Sequence, residues 1–170
     1  IAAQKEDGLR PKDVEVRDEL TRVMVQVYQG YEEQCQREGV VDFAELMLRT
    51  YELMRDNAAL REHYRHRFSH ILVDEFQDTN KLQYAWLKMF AGRPEVTGTS
   101  VMAVGDDDQS IYAFRGAQVS NMADFEREFR VPGVIKLEQN YRSYGHILDS
   151  ANALISRNSR RLGKTLRTDQ

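Results

Sequence analysis

His70–Asn80, HILVDEFQDTN, opens on three apolar residues, Ile71, Leu72 and Val73, that run directly into two carboxylates, Asp74 and Glu75. A short run of β-favouring residues ending in acids predicts a buried strand that delivers charge to one edge of a sheet. In open α/β sheets, ligands bind outside the carboxyl ends of the strands. That edge is where a metal–nucleotide site would need these acids. The same pattern also arises by chance ahead of helix N-caps, so a purely structural strand end stays open at this point.

Downstream, Asp78-Thr79-Asn80 offers N-caps for a helix to Ala91, with Leu82, Ala85, Trp86, Met89 and Phe90 on its buried face. Gly92, Pro94 and Gly98 mark a loop. Ser100–Val104 reads as a second apolar strand, and it too ends in acids, at Gly105-Asp106-Asp107-Asp108-Gln109. Asn121–Phe129 reads as a helix with Met122, Phe125 and Phe129 inward. Pro132-Gly133 turns the chain into a third expected strand, Val134–Glu138, which ends at Gln139-Asn140-Tyr141-Arg142. Ser143 is the expected cap of a last helix that buries Ile147, Leu148, Ala151, Leu154 and Ile155. Strand and helix alternating in this way predict an α/β fold, a parallel sheet with flanking helices. Right-handed crossovers would bring the three strand ends to one edge. Asp74, Glu75, Gln109, Tyr141 and Arg142 would then be near neighbours.

Upstream, residues 1–12 read as a loose start. A helix follows from about Asp13 to Glu38, with Leu20, Val23, Val27, Tyr31 and Cys35 on its core-facing side and Gly39 as its stop. Asp42 and Glu45 form a D-x-x-E cap for a helix to about Arg55, and another spans about Ala58–Arg67. His63 and His66 lie one turn apart there, but no Cys or further acid completes a metal set.

Bulk properties are consistent with this reading. The chain has 170 residues, room for one domain or parts of two, and is 41% hydrophobic and 30% charged, enough for a packed core. A single cysteine, Cys35, excludes a disulfide framework and points to a reducing cytoplasm. No apolar run approaches the ~20 residues of a membrane span, and no signal peptide is visible. The first residue is Ile1, not Met, which suggests a piece of something longer. The formal charge is −3, spread unevenly: residues 69–134 carry −4 and residues 135–170 carry +4. An acidic middle suits a divalent cation and a basic tail suits phosphate; ordinary solvated faces would give the same counts.

The expected cluster holds most of what phosphoryl transfer asks for. Asp74 suits Mg²⁺, which takes one or two carboxylates and keeps its waters. Glu75 suits a base that positions water. Gln109 offers both donor and acceptor to a γ-phosphate or the attacking water. Arg142 offers a rigid fork to phosphate, and Tyr141 a flat face to a nucleobase. The phosphate cradle is missing. A P-loop reads G-x-x-x-x-G-K-[ST] after a strand. Gly163-Lys164-Thr165 comes nearest, but Asn158 stands where the first glycine belongs. Either a different site is used or the P-loop lies in sequence further upstream.

Three blocks, LVDEFQDTN at Leu72–Asn80, VGDDDQSIYAFRGA at Val104–Ala117 and LEQNYRS at Leu137–Ser143, strongly resemble superfamily 1 DNA helicases of the UvrD/Rep/PcrA type in order and spacing. VDFAELMLR at Val41–Arg49 is similar to the block that precedes them. The resemblance implies a partial RecA-like P-loop NTPase motor preceded by a helical subdomain. Residues 1–68 would be the end of subdomain 1B, residues 69–134 the C-terminal half of motor domain 1A, and residues 135–170 the start of motor domain 2A. It also implies an ATP- and Mg²⁺-dependent 3′–5′ helicase that unwinds duplex DNA in repair or replication. Asp74 and Glu75 would be the Walker B pair, Asp74 holding the metal. Gln109 would sense the γ-phosphate, Tyr141 stack on adenine and Arg142 meet the γ-phosphate. Tyr112 and Phe114 would meet single-stranded DNA, with Arg115 linking the two sites; Phe114 stands where this family often has Trp. Without its P-loop the segment alone is expected to be inactive. The alternatives are the helicase part of a RecB/AddA-type nuclease-helicase, or a non-catalytic DNA-binding fragment.

Overall fold

The computed structural model describes residues 1–92, 98–158 and 161–169, except the side chain of Arg115. The expected loop residue Pro94 lies outside the described residues. Helices α1 (Ala2–Glu6), α2 (Glu19–Glu38), α3 (Phe43–Asp56) and α4 (Ala58–Arg67) precede strand β1 (His70–Val73). Helix α5 (Lys81–Ala91), strand β2 (Ser100–Ala103) and helices α6 (Ser120–Glu128) and α7 (Gly145–Ile155) follow.

Short polar side chains start most of the long helices. Asp18 Oδ1 accepts from the Thr21 N–H at 2.7 Å, Asp42 Oδ1 from Glu45 at 2.7 Å, and Asn57 Oδ1 from Leu60 at 2.9 Å. Asn80 and Gln83 cap α5 reciprocally, each side chain accepting the other's backbone N–H. Gly39 ends α2 in the left-handed region, at φ 67°.

β1 and β2 pair in parallel, with Val73 opposite Ala103. Ile71, Val73, Val101 and Ala103 pack one face of this sheet against Phe76, Tyr84, Leu87 and Phe125. Phe76 sits at the centre, edge-on to Tyr84 and to Phe125 at ring separations of 5.9 and 5.2 Å. Burying a side chain of this size contributes about 2 kcal/mol or more. The opposite face carries exposed Leu72 and Met102, so the strands are half-buried instead of covered on both sides.

Four expectations need correction. Residues 1–12 are not loose: they form α1 and a 3₁₀ turn at Pro11–Asp13, and Lys5 is only 1% exposed. Its ammonium meets Asp42 at 2.9 Å and Glu45 at 2.7 Å. Arg10 adds Glu32, Glu45 and Glu52, at 2.5, 2.9 and 2.6 Å.

This ion network also turns α2. Leu20 is 79% exposed and Val23 and Val27 are exposed, while Tyr28 is buried and its hydroxyl donates to the Leu9 carbonyl at 3.0 Å. Glu32 bound to Arg10 fixes which side of the helix faces inward, and it is not the apolar stripe.

The third strand does not form. Val134, Ile135 and Leu137 stay exposed, and one isolated parallel bridge, Gln139 with Arg167, stands in its place. A strand needs a neighbour, and the segment finds one only over the length of that bridge. Finally, α7 buries Leu148, whereas Ile147 and Leu154 are exposed, and Ser143 is not its cap. With no sheet edge beside it, the helix has little to pack on.

Candidate nucleotide site at the ends of the two strands

β1 ends at Val73, and the next two residues leave the sheet abruptly. Asp74 Oδ1 accepts the N–H of Glu75 at 2.9 Å. Glu75 adopts the left-handed conformation, φ 49° and ψ 43°. A side chain with a Cβ rarely takes this region, and such residues gather at functional sites where the surroundings hold them. Here the holding group is Gln77, itself 1% exposed. Its Nε2 donates to Glu75 Oε2 at 2.7 Å, and its Oε1 accepts the Asp106 N–H at 2.9 Å.

Asp106 opens the loop after β2. Its Oδ2 accepts from Gln109 Nε2 at 2.6 Å, so Glu75, Gln77, Asp106 and Gln109 form one continuous hydrogen-bonded chain across both strand ends. Backbone bonds reinforce the junction: Phe76 N–H to the Val104 carbonyl at 2.9 Å, and Val104 N–H to Val73 at 2.8 Å. Gly105 permits this closeness. A Cβ there would stand 2.9 Å from Gln77 Oε1 and 3.3 Å from the backbone nitrogens of Phe76 and Gln77.

Asp106 is partly buried, which disfavours its charge, but the Lys164 ammonium and the Gln109 amide outweigh burial and hold its carboxyl below the usual range. Asp74 and Glu75 are exposed. Asp74 Oδ2 has no hydrogen-bond partner among the described residues. An open, hard carboxylate oxygen at a strand end fits a Mg²⁺ that keeps most of its water and shares a phosphate ligand.

Asp74, Glu75 and Gln109 therefore meet at one edge, as the alternation implied. Tyr141 and Arg142 are both exposed, and no described hydrogen bond or ion pair links either to the strand ends. The Arg142 N–H is held by Asn140 Oδ1 at 2.9 Å, in a turn that also takes the Ser143 N–H at 2.7 Å. Tyr112 is half-buried and Phe114 is 78% exposed, with ring centroids 6.0 Å apart. They are a surface pair, not core residues. Arg115's side chain lies outside the described residues. Gly163-Lys164-Thr165 opens no helix, and Lys164 pairs with Asp106. This is not a phosphate cradle.

Sequence reasoning missed Gln77 and Gly105. The signal for Gln77 was its place inside DEFQD, two residues past the candidate base. Gly105 lay between a strand and its acids, where close backbone approach is a standard reason for glycine. The three acids that end the second strand, Asp106, Asp107 and Asp108, are all engaged by residues 161–164.

The family model of the UvrD/REP helicase N-terminal domain matches residues 1–130. The chain is 53% identical over 170 residues to DNA helicase II of Haemophilus influenzae and, equally, to DNA helicase II of Escherichia coli, with 99% of this chain covered in each case. It is 43% identical over 155 residues to the ATP-dependent DNA helicase UvrD1 of Mycobacterium tuberculosis, with 89% covered. The chain spans 23% of the length of the first two and 20% of the third. Its 1–130 region carries a strand–helix–strand unit whose two ends share one polar network, and on the family match this chain belongs to the UvrD/REP helicases.

Proposed function

We propose that this chain supplies one wall of the ATP site and part of the single-strand track of an ATP-dependent 3′–5′ DNA helicase, acting in DNA repair or replication. The observation that carries the reading is Glu75, held in a left-handed backbone by Gln77 and joined through it to the loop bearing Gln109. The relatives named as DNA helicases support it. In this reading residues 1–68 end subdomain 1B, residues 69–134 belong to a RecA-like 1A motor, and residues 135–170 begin 2A. The whole protein supplies the P-loop.

Glu75 accepts a proton from water as the water oxygen bonds to the γ-phosphorus. The bond from that phosphorus to the β–γ bridging oxygen breaks, and ADP and inorganic phosphate leave. Gln109 orients the γ-phosphate or the water. Arg142 meets the developing charge with a two-pronged guanidinium. Tyr141 offers its exposed ring to adenine. Asp74 would hold Mg²⁺, which neutralises phosphate charge when bound. Tyr112 and Phe114 stack on bases of single-stranded DNA, a contact tolerant of any sequence because every base has a π-face.

The test is ATP turnover by the full-length protein with and without single-stranded DNA. DNA-stimulated turnover is expected, and Glu75→Gln should abolish it while nucleotide still binds. Undiminished turnover in that variant would remove Glu75 from its role.

A further inference from the structure

Residues 161–167 lie across two places that the site needs to coordinate. At one end they grip the loop before Gln109. Arg161 reaches Asp108 through two bonds, Nε to Oδ1 at 3.0 Å and Nη2 to Oδ2 at 2.5 Å, with both side chains largely buried. The Leu162 N–H donates to Asp107 Oδ2 at 2.6 Å. Lys164 pairs with Asp106, the same carboxylate that holds Gln109.

At the other end the segment grips the strand-like run before Tyr141 and Arg142. The Arg167 N–H donates to the Glu138 carbonyl at 2.9 Å, and the Arg167 carbonyl accepts from Asn140 at 2.7 Å. The Thr165 N–H donates to Glu138 Oε1 at 3.1 Å. Lys136 Nζ returns to the Leu162 and Gly163 carbonyls at 3.2 and 2.6 Å. Asn152 on α7 fixes the Leu166 backbone in both directions, donating at 2.8 Å and accepting at 3.2 Å. Asn140 then sets the turn that presents Arg142.

We propose that Arg161 and Lys164 are positioning residues of the ATP site: they clamp Asp106–Asp108 to the segment bearing Tyr141 and Arg142, and so set how Gln109 and Arg142 face one γ-phosphate. The inference rests on the phosphoryl-transfer reading above. A two-pronged arginine–carboxylate pair fixes direction as well as distance. Lys164 acts closer to the chemistry, because Asp106 also reaches Glu75 through Gln77. Each strand-end group is then referred to one strap, and displacing the strap moves Gln109 and Arg142 relative to each other. An error of about 1 Å in such an arrangement is enough to slow a reaction on the order of a hundredfold.

The test uses the full-length protein with single-stranded DNA present, and compares Lys164→Ala, Lys164→Arg, Arg161→Ala and the exchanged pair Arg161→Asp with Asp108→Arg. For Lys164→Ala and Arg161→Ala the expected result is a fall in kcat of about tenfold or more, with the KM for ATP nearly unchanged. ADP affinity, which has no γ-phosphate to report, should stay at the wild-type value. Lys164→Arg and the exchanged pair should recover most of the rate. Unchanged kcat in both alanine variants overturns the proposal. So does a loss of rate matched by equal losses of ADP affinity and melting temperature, which marks a structural brace only. If Arg161→Ala does not fold, the two Lys164 variants decide. A wild-type protein without DNA-stimulated turnover defeats the underlying reading. Turnover that Glu75→Gln abolishes and Lys164→Ala leaves intact defeats this inference alone.

Discussion

Gln77 holds Glu75 by a 2.7 Å hydrogen bond from Nε2 to Oε2, and spends its other amide atom on the backbone of the neighbouring strand's loop. One buried side chain thus ties the candidate base to the candidate sensor. A carboxylate on a left-handed residue needs such a tether, since its backbone alone does not favour that position.

Gln77→Leu is therefore expected to act twice. It leaves the Asp106 N–H without its acceptor in a partly buried place, which costs about 1–3 kcal/mol. It also frees Glu75 to leave its position. Turnover of the full-length protein should fall by about tenfold or more, a loss of about 1.4 kcal/mol in transition-state stabilisation, while DNA affinity is retained. Steady-state kinetics beside a DNA-binding isotherm check this. Wild-type kcat in a folded Gln77→Leu protein would show that the tether is dispensable.

The N-terminal ion network should be worth more to stability than any exposed pair. Burial acts to lower the pKa of Lys5, but hydrogen bonds to Glu45 and Asp42 prevail and its ammonium titrates above the ordinary value. Lys5→Ala strips a buried partner from two carboxylates; Arg10 and Arg49 still face Glu45. A destabilisation of about 3 kcal/mol is expected, with Lys5→Met less harmful because its apolar stem is kept. The urea midpoint of each variant measures this, and a shift no larger than that of an exposed pair, Arg17 with Glu15, would contradict it.

The two strands were legible because Ile71–Val73 and Val101–Ala103 are short apolar runs bounded by polar turns, and the acids at their ends followed. The caps at Asp42 and Asn80 were legible because capping is local chemistry. The α2 stripe misled because the helix takes its orientation from Glu32 on Arg10, a long-range ion pair that periodicity does not encode. Val134–Glu138 misled because β-propensity gives no pairing partner. The opposite charges of residues 69–134 and 135–170 were visible, but charge counts alone do not separate a cation or phosphate surface from ordinary solvated faces. In the structure part of that charge is spent internally, Asp106 and Asp108 on Lys164 and Arg161.

Acid should open that clasp. The Asp106 carboxyl is held below its usual range, burial being outweighed by Lys164 and Gln109. A folded-state value depressed below the unfolded one, about 3.9 for Asp, gives stability that is present above that pH and lost as pH falls through the folded value. Asp42 and Glu45 are shifted in the same direction and add to the effect. The urea midpoint should hold from neutral pH to about pH 4 as far as these groups decide it, then fall. Lys164→Ala should have a lower midpoint at neutral pH and a shallower acid decline. An acid decline as steep in Lys164→Ala as in the wild type would mean that Asp106 is not among the groups responsible.

Phe114 and Tyr112 should matter for DNA and not for nucleotide. Phe114 is among the most exposed aromatic side chains described, its ring 6.0 Å from that of Tyr112, so the two present open faces side by side. Removing one stacking ring costs single-strand binding about 1–3 kcal/mol, or about 5- to 150-fold in affinity. Phe114→Ala is expected within that range, and Phe114→Trp, with a larger face, at or above wild-type affinity. Because base stacking ignores sequence, the loss should be similar on oligo-dT and on mixed-sequence strands. ADP affinity measured without DNA should not change in either variant. Fluorescence anisotropy of labelled single strands at fixed salt reads the effect, salt being held because phosphate contacts vary with it. Equal affinity for Phe114→Ala and wild type would remove this ring from the strand track and leave Tyr112 to be tested alone.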